Sequence, residues 1–214
     1  MPNIRTVLFD LDGTLIDSVE LILASYRHML AAHGMPPMSD AEWLGGIGTP
    51  LTAQFARWDD GRGMVEALIA TYREFNLANH DRMVRAFPGV LDAVRELRAA
   101  GRATGVVTSK VTGSARRGLA WVGLEEMMDV LVCADQVTNP KPHPEPVELA
   151  VRLLGADPRT TVYVGDSIHD LHSGRGAGVL TAAALWGPFR RAELEPAGPD
   201  FWLEHPSEIA RLAG

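Results

Sequence analysis

The sequence predicts an α/β fold, a Rossmann-like parallel sheet core with an inserted α-helical cap domain. Three features carry that expectation. Between residues 90 and 185, short apolar runs rich in β-branched residues alternate with segments of helical periodicity, the pattern that builds a parallel sheet with helical crossovers. Gly101, Gly123, Gly155 and Gly178 stand where those helices should end, as left-handed C-terminal caps require. Roughly 90 residues separate the first apolar run from the second, far more than one crossover needs. That excess is helical in pattern, which places the core at residues 1–15 and 86–214 and the cap at 16–85.

Taken in order, Thr6 to Phe9 reads as a buried strand that stops at Asp10. Residues 17–33 repeat apolar positions at helical spacing. Ser39 to Leu44 is a short helix capped by Ser39 or Asp40, and Gly63 to His80 is a long one, followed by the Phe87-Pro88-Gly89 turn. The core then resumes with helices at Val90 to Ala100, Gly113 to Val122, Pro144 to Leu154 and His169 to Ala177. Strands at Ala103 to Thr108, Val130 to Cys133, Thr161 to Val164 and Val179 to Leu185 alternate with them, making five strands in all. The Pro-rich stretch beyond Trp186 is expected to cover a sheet edge and to end in a short helix near Ser207 to Leu212.

Composition narrows the function classes. Of the 214 residues, 46% are apolar and 22% charged, and charges interrupt every apolar run before the ~18 residues a membrane span needs. Arg5 precedes an apolar stretch of only four residues that runs into Asp10, unlike a signal peptide. A cytoplasmic protein with no membrane partner is expected, as a monomer or homodimer. Cys133, the only cysteine, excludes an internal disulfide and reads as a buried, inert thiol. A net charge of −7 argues against nucleic acid, which selects clustered basic residues. A small anionic substrate needs a local positive pocket instead, and the chain has just two lysines, Lys110 and Lys141, both just beyond apolar segments.

In an open parallel sheet, ligands bind beyond the carboxyl ends of the strands. The first strand ends in Asp10-Leu11-Asp12-Gly13-Thr14, the second in Thr108-Ser109-Lys110, the third leads to Lys141, and the fourth ends in Gly165-Asp166-Ser167-Ile168-His169-Asp170. Four acids and two lysines therefore meet at one edge. Singly, each has a bland reading: Asp10 or Asp166 as a helix cap, Thr108 as a strand end, Lys141 as a solvated loop charge. Their joint register makes those readings untenable.

With these motifs the chain resembles the haloacid dehalogenase superfamily over its whole length, and within it the phosphatases with an α-helical cap between the first two motifs. The resemblance rests on DxDGT at Asp10 to Thr14, the hydroxyl of Thr108, Lys141 in Lys-Pro-His-Pro-Glu-Pro, and GDxxxD at Gly165 to Asp170. It implies a Mg²⁺-dependent phosphohydrolase with a small phosphorylated substrate. Phosphoryl transfer needs in-line positioning and cations that neutralise spreading charge, and Mg²⁺ prefers oxygen ligands. On this reading Asp10 is the nucleophile that forms an aspartyl-phosphate, and Asp12 protonates the leaving oxygen and later activates water. Asp10 and Asp166 bind metal directly, Asp12 through its backbone carbonyl, and Asp170 through a metal water. Lys141 supplies charge to Asp10 and the phosphoryl group, Thr108 and amides of the first turn donate hydrogen bonds, and Gly13 permits close approach of the backbone.

Several alternatives are separable by residue type. Dehalogenases lack the second acid of the first motif, so Asp12 points to a phosphatase. Phosphonatases use a cap lysine, and residues 16–85 contain none. A sugar-phosphate mutase or a non-catalytic phosphate-binding protein are the remaining rivals. Segments Glu20 to Ser25, Tyr72 to Asn76 with His80-Asp81, Val137 to Asn139 and Pro199 to Phe201 resemble bacterial inorganic pyrophosphatases, with phosphoglycolate phosphatases as the alternative; Ser109 and His143 depart from the former pattern. Tyr72, Asn76 and His80 recur at helical spacing, either as a solvated polar face or as donors to substrate, and Asn76, His80 and Ser109 are the candidate substrate contacts with Gly13. Ser109 and Lys110 are open to either role, as is the Gly45 to Pro50 loop as a cover for the substrate. His143, His169 and His172 read as ordinary loop histidines, and Gly174, Gly176 and Gly178 as packing at a helix end.

Overall fold

Thr6–Phe9 (β1) is buried along its whole length, because helices cover both faces of a parallel sheet. Val7 and Phe9 enter one apolar layer and Leu8 the other, following the period of two along a strand. The computed structural model describes residues 3–213, so residues 1–2 and 214 of the expected core lie outside it. The remaining strands are Ile16–Asp17 (β2), Arg85–Ala86 (β3), Ala103–Val107 (β4), Val130–Val132 (β5), Thr161–Gly165 (β6), Leu180–Ala184 (β7) and Phe201–Leu203 (β8). Six of them form one parallel sheet in the order β5-β4-β1-β6-β7-β8. Strands β1 and β6, which carry the two acidic motifs, are therefore neighbours at the centre, with Phe9 level with Val164.

The helices are Val19–Ala32 (α1), Asp40–Leu44 (α2), Leu51–Phe55 (α3), Met64–Met83 (α4), Val90–Ala99 (α5), Thr112–Trp121 (α6), Glu145–Leu154 (α7), Ile168–Gly176 (α8) and Arg191–Leu194 (α9). The four expected core helices agree with α5 to α8 to within a residue at each end. The four expected cap glycines have φ between 61° and 74°, a left-handed region open to glycine at little cost. In α2 it is Ser39, not Asp40, that caps, with Glu42 completing a reciprocal capping box.

Several elements were not expected, among them the short strands β2 and β3 and the one-turn helix α9. β8 is a sixth strand, parallel to β7 from Ala182 level with Phe201 to Ala184 level with Leu203; the Pro-rich tail extends the sheet edge instead of merely covering it. The 3₁₀ turn Pro206–Ala213 then lies on α5, with Ile209 and Leu212 buried in the same apolar layer as Val90 and Val94. Helix α3 was also not expected.

Helices α1 to α4 form the insertion between β1 and α5. Strands β2 and β3 pair antiparallel, Asp17 opposite Arg85, so the chain enters and leaves the insertion at one ribbon. The insertion has an apolar cluster of its own around Tyr26, Trp43, Phe55, Leu68 and Tyr72. Tyr26 stacks on Trp43 at 4.1 Å between ring centroids, with Phe55 edge-on to both, arrangements favoured by the ring quadrupole. Among the described residues no helix is long and apolar enough to cross a membrane.

Candidate active site

The adjacent carboxyl ends of β1 and β6 bring Asp10 and Asp166 together below the insertion. Asp10, Asp166 and Asp170 are buried, and one oxygen from each lies within 4.8 Å of the others. Such crowding of acids is tolerable only with compensating charge. Lys141 supplies part of it: its Nζ donates to Asp10 at 2.8 Å, to Asp170 at 2.5 Å and to the Tyr163 hydroxyl at 3.1 Å. Burial alone would lower the Lys141 pKa, but Asp10 and Asp170 outweigh burial and hold it above its usual value. Burial pushes Asp10 up to about 7 despite Lys141. Asp166 is raised well above the carboxylate range by burial and then by Asp170 and Asp10. Asp170 goes the other way, because its contact with Lys141 outweighs burial.

Each acid is held differently. Asp166 Oδ1 accepts from Thr14 Oγ1 at 2.8 Å, while its Oδ2 is buried without a hydrogen-bond partner among the described residues. An orphaned buried carboxylate oxygen is costly unless a cation faces it, so the donor set fits a hard divalent ion with oxygen ligands. Asp170 has both oxygens engaged, Oδ1 by Lys141, with the Tyr163 hydroxyl 3.1 Å away, and Oδ2 by the amide and hydroxyl of Ser167. Its first tasks are to anchor Lys141 and cap α8. The side chain of Asp12 turns away from this group: its Oδ1 accepts from Lys110 Nζ at 2.6 Å and from the Ser18 hydroxyl.

The site opens into a cavity of about 360 Å³ roofed by the insertion. Asp10, Asp12 and Thr108 face it from the core, and Gly48, Tyr72 and Asn76 from the insertion. Thr108 Oγ1 accepts the Lys110 amide at 3.2 Å, which leaves its own proton for a ligand oxygen. Asn76 is buried in the roof and donates to Ser25 at 3.1 Å.

Three sequence expectations are corrected by this geometry. Gly13 does not offer its amide to a substrate, since that N–H donates to Ile16 O at 2.9 Å. Its φ of 86° and lack of a side chain serve Asp166 instead: a Cβ there would lie 2.5 Å from Asp166 Oδ2. His80 does not line the cavity; it is 2% exposed, sits against Gly118 of α6, and its Nδ1 lies 2.8 Å from Asp81. Ser109 lines the cavity, but its hydroxyl donates to Gly48 O at 2.6 Å and so ties the Gly45 to Pro50 loop to the core. The stripe as a solvated face is overturned as well, because Tyr72, Asn76 and His80 are all buried.

The haloacid dehalogenase-like hydrolase family model matches residues 7–184. This chain belongs to that family. Pyrophosphatase PpaX of Bacillus cereus (strain AH820) is 42% identical over 97% of this chain and 95% of its own length. A haloacid dehalogenase-like hydrolase from Bacteroides fragilis superposes with a TM-score of 0.89 at 24% identity, covering 96% of this chain and 99% of that one. A predicted phosphoglycolate phosphatase from Haemophilus somnus 129pt superposes with a TM-score of 0.87 at 22% identity over the whole of both chains. These two likenesses carry the fold. With the family established and both acids of its first motif in place, this haloacid dehalogenase-like hydrolase acts on phosphoric ester or anhydride bonds.

Parts of the hydrolase site escaped the sequence reading. Tyr163 bridges Lys141 and Asp170 and donates to Val107 O at 2.8 Å. Its signal was a single hydroxyl in the otherwise apolar run Val162 to Val164. Trp186 Nε1 donates to Thr14 O at 2.9 Å, and Gly187 passes so close that a Cβ would lie 2.5 Å from Asp166 Cβ. Nothing local in the sequence marks these two, because their partners are about 170 and 20 residues away.

Proposed function

We propose that the hydrolase is Mg²⁺-dependent, that it works through an aspartyl-phosphate on Asp10, and that its preferred substrate is inorganic pyrophosphate. The observation that carries the mechanism is the Asp10 carboxylate, fixed by Lys141 at 2.8 Å at the floor of a cavity that Asp12 also faces. Asp10, Asp166 and the main-chain carbonyl of Asp12 would hold the metal, with Asp170 outside them. Bound Mg²⁺ supplies the charge that lets a carboxylate approach a phosphate, and the orphaned Asp166 oxygen supports its place there.

The rest falls to the chain. An oxygen of Asp10 bonds to phosphorus as the bridging P–O bond breaks, and orthophosphate leaves. Lys141, its three donors engaged by Asp10, Asp170 and Tyr163, supplies positive charge beside the transferred group, and the Thr108 hydroxyl donates to one of its oxygens. Asp12 carries a proton to the leaving oxygen where one is needed, then takes one from the water that splits the aspartyl-phosphate. A second phosphate departs and Asp10 is regenerated. The insertion, residues 16–85, acts as a cap domain that excludes other water.

The pyrophosphate reading is supported by the similarity to PpaX along nearly the full length of both chains. Phosphoglycolate is the second reading, favoured by Arg73, an exposed cap residue that lines the cavity and whose planar fork suits a carboxylate. Steady-state kinetics with pyrophosphate, phosphoglycolate and p-nitrophenyl phosphate decide between them. Pyrophosphate should give the highest kcat/KM; a lead of phosphoglycolate by more than about tenfold, or 1.4 kcal/mol, reverses the substrate assignment and leaves the mechanism standing.

A further inference from the structure

We propose that Lys110 is the specificity residue for the leaving half of the substrate, selecting groups that carry negative charge. The inference builds on the phosphohydrolase reading above, in which Asp12 faces the leaving oxygen. Lys110 Nζ lies 2.6 Å from Asp12 Oδ1, so its ammonium stands beside that same oxygen. Its position is fixed from below, where its amide donates to Thr108 Oγ1 and its carbonyl accepts from Ala134 N at 2.9 Å. Its side chain is 17% exposed and lines the cavity.

Two further facts single it out. An ammonium has three N–H donors, and the bond to Asp12 uses one; the other two have no protein partner among the described residues. Of the residues lining the cavity only Lys110 and Arg73 are cationic, and Arg73 is exposed on α4 while Lys110 is on the core beside the reacting group. Lys141 is spent on Asp10 and Asp170. A substrate whose departing half is itself a phosphate brings its charge to the two open donors of Lys110. A neutral alcohol brings none, and needs a proton from Asp12 in place of a cation. Lys110 thus separates anhydrides and acid-bearing esters from simple phosphomonoesters, within a cavity of about 360 Å³ that accommodates the second group.

Because Lys110 also touches Asp12, its removal affects every substrate to some degree. The decisive quantity is therefore the ratio of kcat/KM for pyrophosphate to that for p-nitrophenyl phosphate, in which the shared loss cancels. In Lys110→Met that ratio should fall about tenfold or more, the effect of losing a charge-assisted contact. Lys110→Arg, which keeps the charge, should bring it back to within about threefold of the unmodified protein. The inhibition constant of methylenediphosphonate should weaken in Lys110→Met by a larger factor than that of orthophosphate. An unchanged ratio, or equal weakening of both inhibitors, overturns the proposal and leaves Lys110 as a support for Asp12. If the unmodified protein prefers phosphoglycolate, the pyrophosphate assignment falls by itself. The same ratio taken with phosphoglycolate, whose leaving half carries a carboxylate, then judges Lys110.

Discussion

Asp10→Asn keeps the shape of the side chain and removes its nucleophilic charge. Turnover should drop by at least ~10³-fold, while the thermal midpoint holds or rises, since burial already opposes ionisation and pushes Asp10 up to about 7. Steady-state kinetics beside a melting curve check this, and near-normal turnover would sink the assignment of the nucleophile. Asp10, Asp12, Thr108, Lys141, Asp166 and Asp170 were legible in the sequence because strand ends in a parallel sheet converge whatever lies between them. Side-chain direction was not. Ser109 sits at a strand end too, yet its hydroxyl reaches up to Gly48 O, and Asp12 points away from the acidic cluster toward Lys110. Spacing places a residue at an edge; only packing decides which way it faces.

At the scale of elements, α4 rests on α6 through His80, whose Nε2 is buried without a partner among the described residues. Burial lowers its pKa below the usual 6.5, so the folded chain binds this proton less readily than the unfolded one. The contribution of His80 to stability is therefore fully present above pH 6.5 and is lost as pH falls through its lower folded-state value. His80→Gln should melt with a smaller drop in midpoint between about pH 7.5 and pH 5.5. His169 is shifted in the same direction and retains part of the drop. An undiminished drop in the variant would show that His80 is not its source. Helices α5 to α8 were legible to within a residue because glycine caps and amphipathic spacing agree there. Helix α3 and strand β8 were not: the first spans five residues and the second three, too short for a period to register. β8 also follows a stretch rich in proline, and its pairing with β7 is supported by Asp200, whose carboxylate accepts from Thr181 N at 2.8 Å.

For the whole molecule, three buried acids crowd one site while the buried Lys141 pairs with only Asp10 and Asp170, and burial holds Asp10 and Asp166 above the usual carboxylate range, so a cation among them would displace protons and relieve that crowding. A ligand that binds only the folded state raises its stability. Millimolar Mg²⁺ should accordingly raise the thermal midpoint of the chelated protein by several degrees, and Asp166→Asn should abolish most of that rise. A midpoint indifferent to Mg²⁺ in the unmodified protein would count against the metal site independently of any activity assay. The same chelation should abolish turnover, and Mg²⁺ should restore it.

Asp17 and Arg85 face each other across a ribbon of two residues per strand, and this shortens the search the chain makes while folding. Pairing of β1 with β4 sets Thr6 beside Ala103 and has to close a loop of roughly 100 residues when the insertion is still disordered. Once α1 and α4 have packed and the ribbon has zipped, roughly 30 flexible residues remain, which lowers the entropic barrier by about 1 kcal/mol. Helical contacts are local and form quickly. The insertion is thus expected to template the sheet as well as roof the site. Trp43→Ala, placed in the aromatic cluster of the insertion and away from the sheet, should slow refolding of the core in stopped-flow fluorescence rather than act through unfolding alone.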